Sequence, residues 1–128
     1  GYTENTIYCI LERRKMLKQR IEILKTSGVI DEDVALFVND IIDEFSSKNF
    51  NEGKMETFTT HLAMSTERIK KNEPVEDLDD VIWMDVKNNE NFEQSKKMFE
   101  YLKLKSPVPI PNSEKKFILM HICNLLQG

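Results

Sequence analysis

Cysteine, histidine, glycine and proline are all scarce in this chain of 128 residues, which contains two, two, four and four of them. The two cysteines, Cys9 and Cys123, are too few for a disulfide framework and do not form a C-x-x-C pair. We therefore expect a reducing compartment and a fold stabilised by its hydrophobic core, in which both cysteines are small buried residues.

Long apolar runs are also missing. The longest, "FILMHICNLL" at residues 117–126, has about half the length that a membrane span needs and is interrupted by His121 and Asn124. No signal peptide can be recognised at the start. We expect a soluble, cytoplasmic protein that does not associate with membranes. The chain begins with Gly1 rather than methionine, as a segment of a longer protein would.

Excess positive charge is the third absence. The formal net charge is −4, whereas a surface that binds nucleic acid needs concentrated lysine and arginine. We therefore expect no direct nucleic-acid binding by this chain. One basic cluster lies near the start without interleaved aromatic residues, and we interpret it as a solvated helix face: Arg13, Arg14, Lys15, Lys18 and Arg20.

Apolar residues recur every three or four positions, and no segment alternates as a half-buried strand would. This pattern predicts an all-α protein, a compact bundle of about five helices plus an N-terminal helix. Asp31 is the expected cap of the second helix. Helices are expected at about residues 6–26, 34–45, 54–71, 91–104 and from 112 or 113 onward. A short one is expected to carry Leu78, Val81, Ile82 and Trp83.

The first helix carries Ile7, Ile10, Leu17, Ile21 and Leu24 at heptad spacing. Such a stripe is typical of a short coiled coil, but it is equally typical of a helix that packs on its own domain. Both alternatives remain open from the sequence. We accordingly divide the chain into an N-terminal helix for packing or dimerisation, residues 1–30, and a helical domain, residues 31–128.

His61 and His121 are the only two histidines, and each lies beside the apolar stripe of its own helix. Either alone is most simply a hydrogen-bonded residue at the edge of the core, but the shared context suggests a paired role. A zinc site would need four ligands from distant segments, and the sequence contains neither a phosphate-binding glycine loop nor a nucleophile elbow. A neutral imidazole can instead accept a phosphoryl group from another phosphohistidine. The chemistry predicts no cofactor and no metal.

The flanks of both histidines resemble the motifs of a known family, the PTS regulation domain (PRD) of bacterial antiterminators and activators controlled by the sugar phosphotransferase system. The first motif is "HLAMSTERIKK", in which Glu67 and Arg68 follow His61 by six and seven residues. The second is "PNSEKKFILMHICN", with Pro111, Glu114, Phe117, Ile118, His121, Ile122 and Asn124 in the expected order. Thr60 departs from the family pattern, which commonly has an acidic residue before the first histidine.

The resemblance implies a regulatory domain that is not an enzyme and is usually a homodimer. It also implies that His61 and His121 are phosphorylated by HPr or by enzyme II components of the phosphotransferase system. Possible partners of the phosphate or of the imidazole are Arg68, Glu114 and Asn124. Arg68 is equally well interpreted as a surface residue paired with an acid, and Glu114 as a first-turn acid that stabilises its helix.

A second hypothesis belongs to another functional class. The chain would keep the PRD fold but act as a helical dimerisation or adaptor protein that is not phosphorylated. Thr60 and the heptad stripe of the first helix favour this alternative.

Overall fold

The structure, a computed structural model, describes residues 3–127, and this part of the chain consists of six helices and contains no strand. The prediction of an all-α bundle is therefore confirmed. The helices are α1 (Glu4–Thr26), α2 (Glu32–Ser46), α3 (Glu52–Lys70), α4 (Asp80–Lys87), α5 (Phe92–Lys105) and α6 (Asn112–Leu126).

The second helix lies at the centre of the core. Its apolar residues recur at helical spacing and are almost fully shielded from solvent, as a helix packed on several sides requires. It packs on α1, α3 and α5, while α6 packs on α3, α4 and α5. The residues that α2 buries are Val34, Ala35, Phe37, Val38, Ile41, Ile42 and Phe45.

The first helix packs against α2 and α3 of its own domain. Ile10, Leu17 and Ile21 of the heptad stripe are buried, whereas Ile7 is about half exposed. Of the two alternatives for this stripe, packing on the domain therefore accounts for most of its apolar residues. The division of the chain at residue 30 stays a prediction.

The basic cluster of α1 is more than a solvated face. Lys18 and Arg14 approach Asp43 of α2, with N to O distances of 2.7 Å and 3.6 Å, and Arg13 lies 3.7 Å from Glu52 of α3. Because these groups are partly exposed, each pair contributes little to stability, at most about 1 kcal/mol. They do fix which side of α1 faces α2 and α3.

The predicted short fourth helix is present and carries Val81, Ile82 and Trp83, but the fourth expected residue, Leu78, lies outside it. Leu78 is buried but precedes the helix, whose start is capped by the Asp79 side chain accepting from the backbone N–H of Val81. Within α4 the buried residue is Val86, while Val81 is 70% exposed. Trp83 is partly buried against the core.

Two smaller expectations are also corrected. Cys9 is exposed on α1, and only Cys123 is buried. Asp31 stands at the cap position of α2, but its side chain makes no capping hydrogen bond; the carboxylate pairs with Lys70 and Lys71 at the end of α3 instead. Among residues 3–127, no helix combines the length and the apolar character needed to span a membrane.

The packing of α1 can be tested with two neighbouring residues. Leu17→Ala should lower the free energy of unfolding by about 2 to 4 kcal/mol, because it leaves a cavity in the core. Met16→Ala, on the exposed side of the same helix, should change it by less than about 0.5 kcal/mol. Urea unfolding measures both. Equal effects would contradict the packing of α1 on the domain.

Candidate functional site

The two histidines meet. His61 on α3 and His121 on α6 stack face to face, with ring centroids 4.3 Å apart and an angle of 11° between the ring planes. Sixty residues separate them along the chain, so the contact depends on how α3 packs on α6. The structure thus brings together the two residues that the sequence analysis paired.

The two rings have different surroundings. His61 is exposed, whereas His121 is half-buried. Burial, and secondarily the nearby His61, lowers the pKa of His121 to about 4 from an ordinary value near 6.5. At neutral pH the His121 ring is therefore uncharged and keeps a lone pair on one ring nitrogen.

A groove of about 250 Å³ opens beside His121. Its polar lining comes from the first turns of α3, including Asn51, Lys54 and Thr57, and from the exposed Asn124 of α6. Asn124, a predicted site residue, therefore lies on the same groove as His121. The groove gives the half-buried ring a route to solvent, with a lysine at its edge.

The other two predicted partners bind each other. The Arg68 guanidinium donates from Nε and Nη2 to both carboxylate oxygens of Glu114, at 2.8 Å and 3.0 Å, and Nη2 also donates to Ser65. Glu114 is only 2% exposed, so this two-pronged pair satisfies a buried charge. The hydrogen bonds to Glu114 raise the pKa of Arg68 above its ordinary value. Both side chains are thus engaged in joining α3 to α6.

Spacing explains this pairing. Arg68 follows His61 by seven residues, and Glu114 precedes His121 by seven. Two helices that run antiparallel bring both pairs into contact at once, about 10.5 Å apart, since a helix rises 1.5 Å per residue. The stack and the salt bridge are consequently two contacts of one helix–helix interface.

Thr60 contacts the N-terminal helix. Its hydroxyl accepts a hydrogen bond from Nη2 of Arg20 at 3.1 Å, across forty residues of chain. Sequence reasoning had placed Arg20 in a solvated cluster and had assigned Thr60 no partner. Nothing in the local pattern of either residue signals the contact, because it follows from the packing of α1 beside α3.

Glu67, the acidic residue of the first motif, has a structural role. Its carboxylate accepts from the backbone N–H of Asp31 at 2.7 Å, immediately before α2, and lies 3.7 Å from Lys71.

Across residues 3–127, no three histidine, cysteine or acidic side chains are grouped as a metal site requires.

The low pKa of His121 predicts how the stability of the protein depends on pH. Because the unfolded chain binds a proton near pH 6.5 and the folded chain only near pH 4, this histidine lowers the free energy of unfolding as the pH falls through that window. We expect a loss of roughly 1 to 2 kcal/mol between pH 7 and pH 4, allowing for the solvent that still reaches the ring. His121→Gln should lack this part of the pH dependence.

Urea unfolding at several pH values measures the effect, and NMR titration of the two imidazoles identifies its source. His61→Gln is the matched control and should keep most of the pH dependence, because burial is the larger cause of the shift. A His121 ring that titrates near pH 6.5 would contradict the assignment.

The buried salt bridge makes a second prediction. Arg68→Ala should lower the free energy of unfolding by about 2 to 3 kcal/mol, because the Glu114 carboxylate would stay buried without a partner. Arg68→Lys should recover only part, since a lysine cannot make the paired hydrogen bonds. Arg13→Ala, which removes an exposed pair, is the control and should cost less than about 1 kcal/mol. An Arg68→Ala effect no larger than the control would contradict a structural role for the bridge.

Comparison with known proteins identifies one family. Residues 37–125 match the family model of the PRD domain, a segment that contains both histidines, Arg68, Glu114 and Asn124. Neither the curated proteins nor the solved structures gave a match. The matched segment covers well over half of the sequence, and the PRD is a family of regulatory domains. The chain belongs to the PRD family.

Proposed function

We propose that the chain is the regulatory module of a sugar-responsive transcription regulator, of the antiterminator or activator type, and that phosphotransferase-system proteins phosphorylate it on His61 and His121. The observation that carries this proposal is the stack of the only two histidines of the chain, 4.3 Å apart, at the meeting point of the two motif helices.

The chemistry needs little from the protein. A neutral imidazole nitrogen attacks the phosphorus of a donor phosphohistidine, the donor N–P bond breaks, and a new N–P bond forms on the acceptor. The donor ring carries a proton on its other nitrogen and therefore leaves as neutral imidazole, while the acceptor keeps the proton of its own other ring nitrogen, so neither water nor an oxidant is consumed. The low pKa of His121 favours the neutral ring that this step requires.

Access differs between the two acceptors. His61 is exposed and can meet the active-site histidine of a carrier such as HPr or an enzyme II component directly. His121 must be approached through the groove lined by Lys54 and Asn124. We therefore assign His61 as the more accessible acceptor and His121 as the more restricted one.

The regulatory effect would come from charge. Each phosphoryl group adds about −1.5 to −2 at neutral pH. Two such groups on stacked rings repel each other, so occupancy by one is favoured over occupancy by both. In a homodimer, the state that the family resemblance implies, the change would occur in both copies and alter their association. The module would act in the cytoplasm without chemistry of its own, and the nucleic-acid output would reside outside this chain.

Labelling tests the proposal. The protein is incubated with phosphoenolpyruvate, enzyme I and HPr, with and without enzyme II components, and acid-labile phosphate is mapped by mass spectrometry. We expect label on His61 and His121 in the unmodified protein, with His61 labelled faster. His61→Ala and His121→Ala should each lose label only at the altered position, and the double variant should lose all of it.

Absence of label from both histidines with every donor would overturn the proposal. That result would favour the adaptor hypothesis. One structural observation supports this hypothesis, because α1 exposes apolar residues to which a partner would bind: Ile7, Leu11, Met16 and Ile23. An adaptor should also bind its partner equally well when both histidines are alanine.

A further inference from the structure

Arg20 of α1 contacts the residue that precedes the more accessible histidine. Its Nη2 donates to the hydroxyl of Thr60 at 3.1 Å, and Thr60 directly precedes His61 on α3. Consecutive Cα atoms are only about 3.8 Å apart. Thr60 thus holds the Arg20 guanidinium one residue along the chain from His61, and Arg20 itself lies outside the matched family segment, 37–125.

The charge of Arg20 is not neutralised by a neighbour. The chain has four arginines, and three of them approach a carboxylate: Arg13 that of Glu52, Arg14 that of Asp43, and Arg68 that of Glu114. Within residues 3–127, Arg20 has no carboxylate within ion-pair distance, and its hydrogen bond goes to an uncharged hydroxyl. One of its five N–H donors is used in that bond, so the fork can still bind an anion.

Space for such an anion is present. Arg20, Thr60, Ile23 and Leu24 line an open groove of about 180 Å³ between α1 and α3. Arg20 is exposed, so its head can move by a few ångströms without disturbing the core. An arginine fork matches the oxygen atoms of a phosphoryl group and binds them through paired, charge-assisted hydrogen bonds.

We propose that Arg20 is the phosphoryl-binding residue of the His61 site: once His61 carries a phosphoryl group, the Arg20 guanidinium binds its oxygens and stabilises the phosphohistidine. This inference rests on the proposed function in that it requires His61 to accept a phosphoryl group. Through it, the N-terminal helix senses the phosphorylation state of α3. Arg68 does not compete for this role, because Glu114 engages it.

The test uses phosphoramidate, a small phosphoryl donor to histidine, so that labelling does not depend on docking of a carrier protein. Arg20→Gln removes the charge and keeps a polar side chain, Arg20→Lys keeps the charge and loses the fork, and Arg13→Gln is the control two turns earlier on the same helix. Mass spectrometry follows the phosphate on His61 and on His121 during labelling and after the donor is removed.

We expect Arg20→Gln to lower the steady-state label on His61 and to speed its loss, each by roughly threefold, the size of effect that an exposed ion pair gives. Label on His121 should not fall, because its groove is lined by Lys54 and not by Arg20. The label on His61 of Arg20→Lys should lie between that of Arg20→Gln and that of the unmodified protein. Arg13→Gln should carry as much label on His61 as the unmodified protein. The ³¹P resonance of the His61 phosphate should titrate at higher pH in Arg20→Gln, a change that a merely structural role would not produce.

Three results would overturn the inference: an unchanged His61 label in Arg20→Gln, an equal loss at both histidines, or no label on His61 of the unmodified protein. The proposed function fails separately. If phosphoramidate labels His61 in an Arg20-dependent way but no phosphotransferase protein does, the phosphoryl-binding role stands and the assigned donors are wrong.

Discussion

The antiparallel register of α3 against α6 is the constraint on which the site depends. It is fixed by the salt bridge between Arg68 and Glu114, whose buried carboxylate has a partner only when the two helices stand in this register. A shift of either helix by one residue would turn the pair away from each other and leave a charge unsatisfied in the core. The same register places His61 against His121 two helical turns away. The polar contact at one end of the interface thereby specifies the geometry at the other.

The sequence predicted the helices that have a continuous apolar stripe and also the short fourth helix, but it assigned Leu78 to that helix although this residue precedes it. In α2 every buried position is apolar, and the helical spacing of these residues identifies a single buried face. In α4 the apolar residues are distributed around the helix, so periodicity does not identify a buried face. There the structure buries Leu78 before the helix and Val86 near its end. The cap at Asp31 was misjudged for another reason: two lysines at the end of α3 compete for its carboxylate, and they are close only in the folded chain.

The sequence identified the residues of the site but not the contacts that they make with one another. Spacing and motif context identified His61 and His121 as a pair, and that required no knowledge of how the helices pack. The partnership of Arg68 with Glu114 depends on the direction and register of two helices, which one sequence does not determine. Considered on its own helix, Arg68 fitted a phosphate partner and a residue paired with an acid equally well, and Glu114 fitted both an imidazole partner and a first-turn acid. The contact of Arg20 with Thr60 is even harder to predict from the sequence, because it joins segments forty residues apart and produces no periodic pattern in either segment.

The two ends of the α3–α6 interface differ in how they can respond to a charge. At the Arg68–Glu114 end, the charges are already balanced and the carboxylate is buried, so this end resists change. At the histidine end, two stacked imidazole rings lie between an exposed surface and a groove, and no carboxylate is within ion-pair distance of Arg20 in the described chain. A phosphoryl group added here would meet an unneutralised cation from α1 on one side and Lys54 on the other. Its strongest available contact would join α3 to α1 rather than to α6, so the element best placed to transmit the change is the N-terminal helix, whose outer face remains exposed.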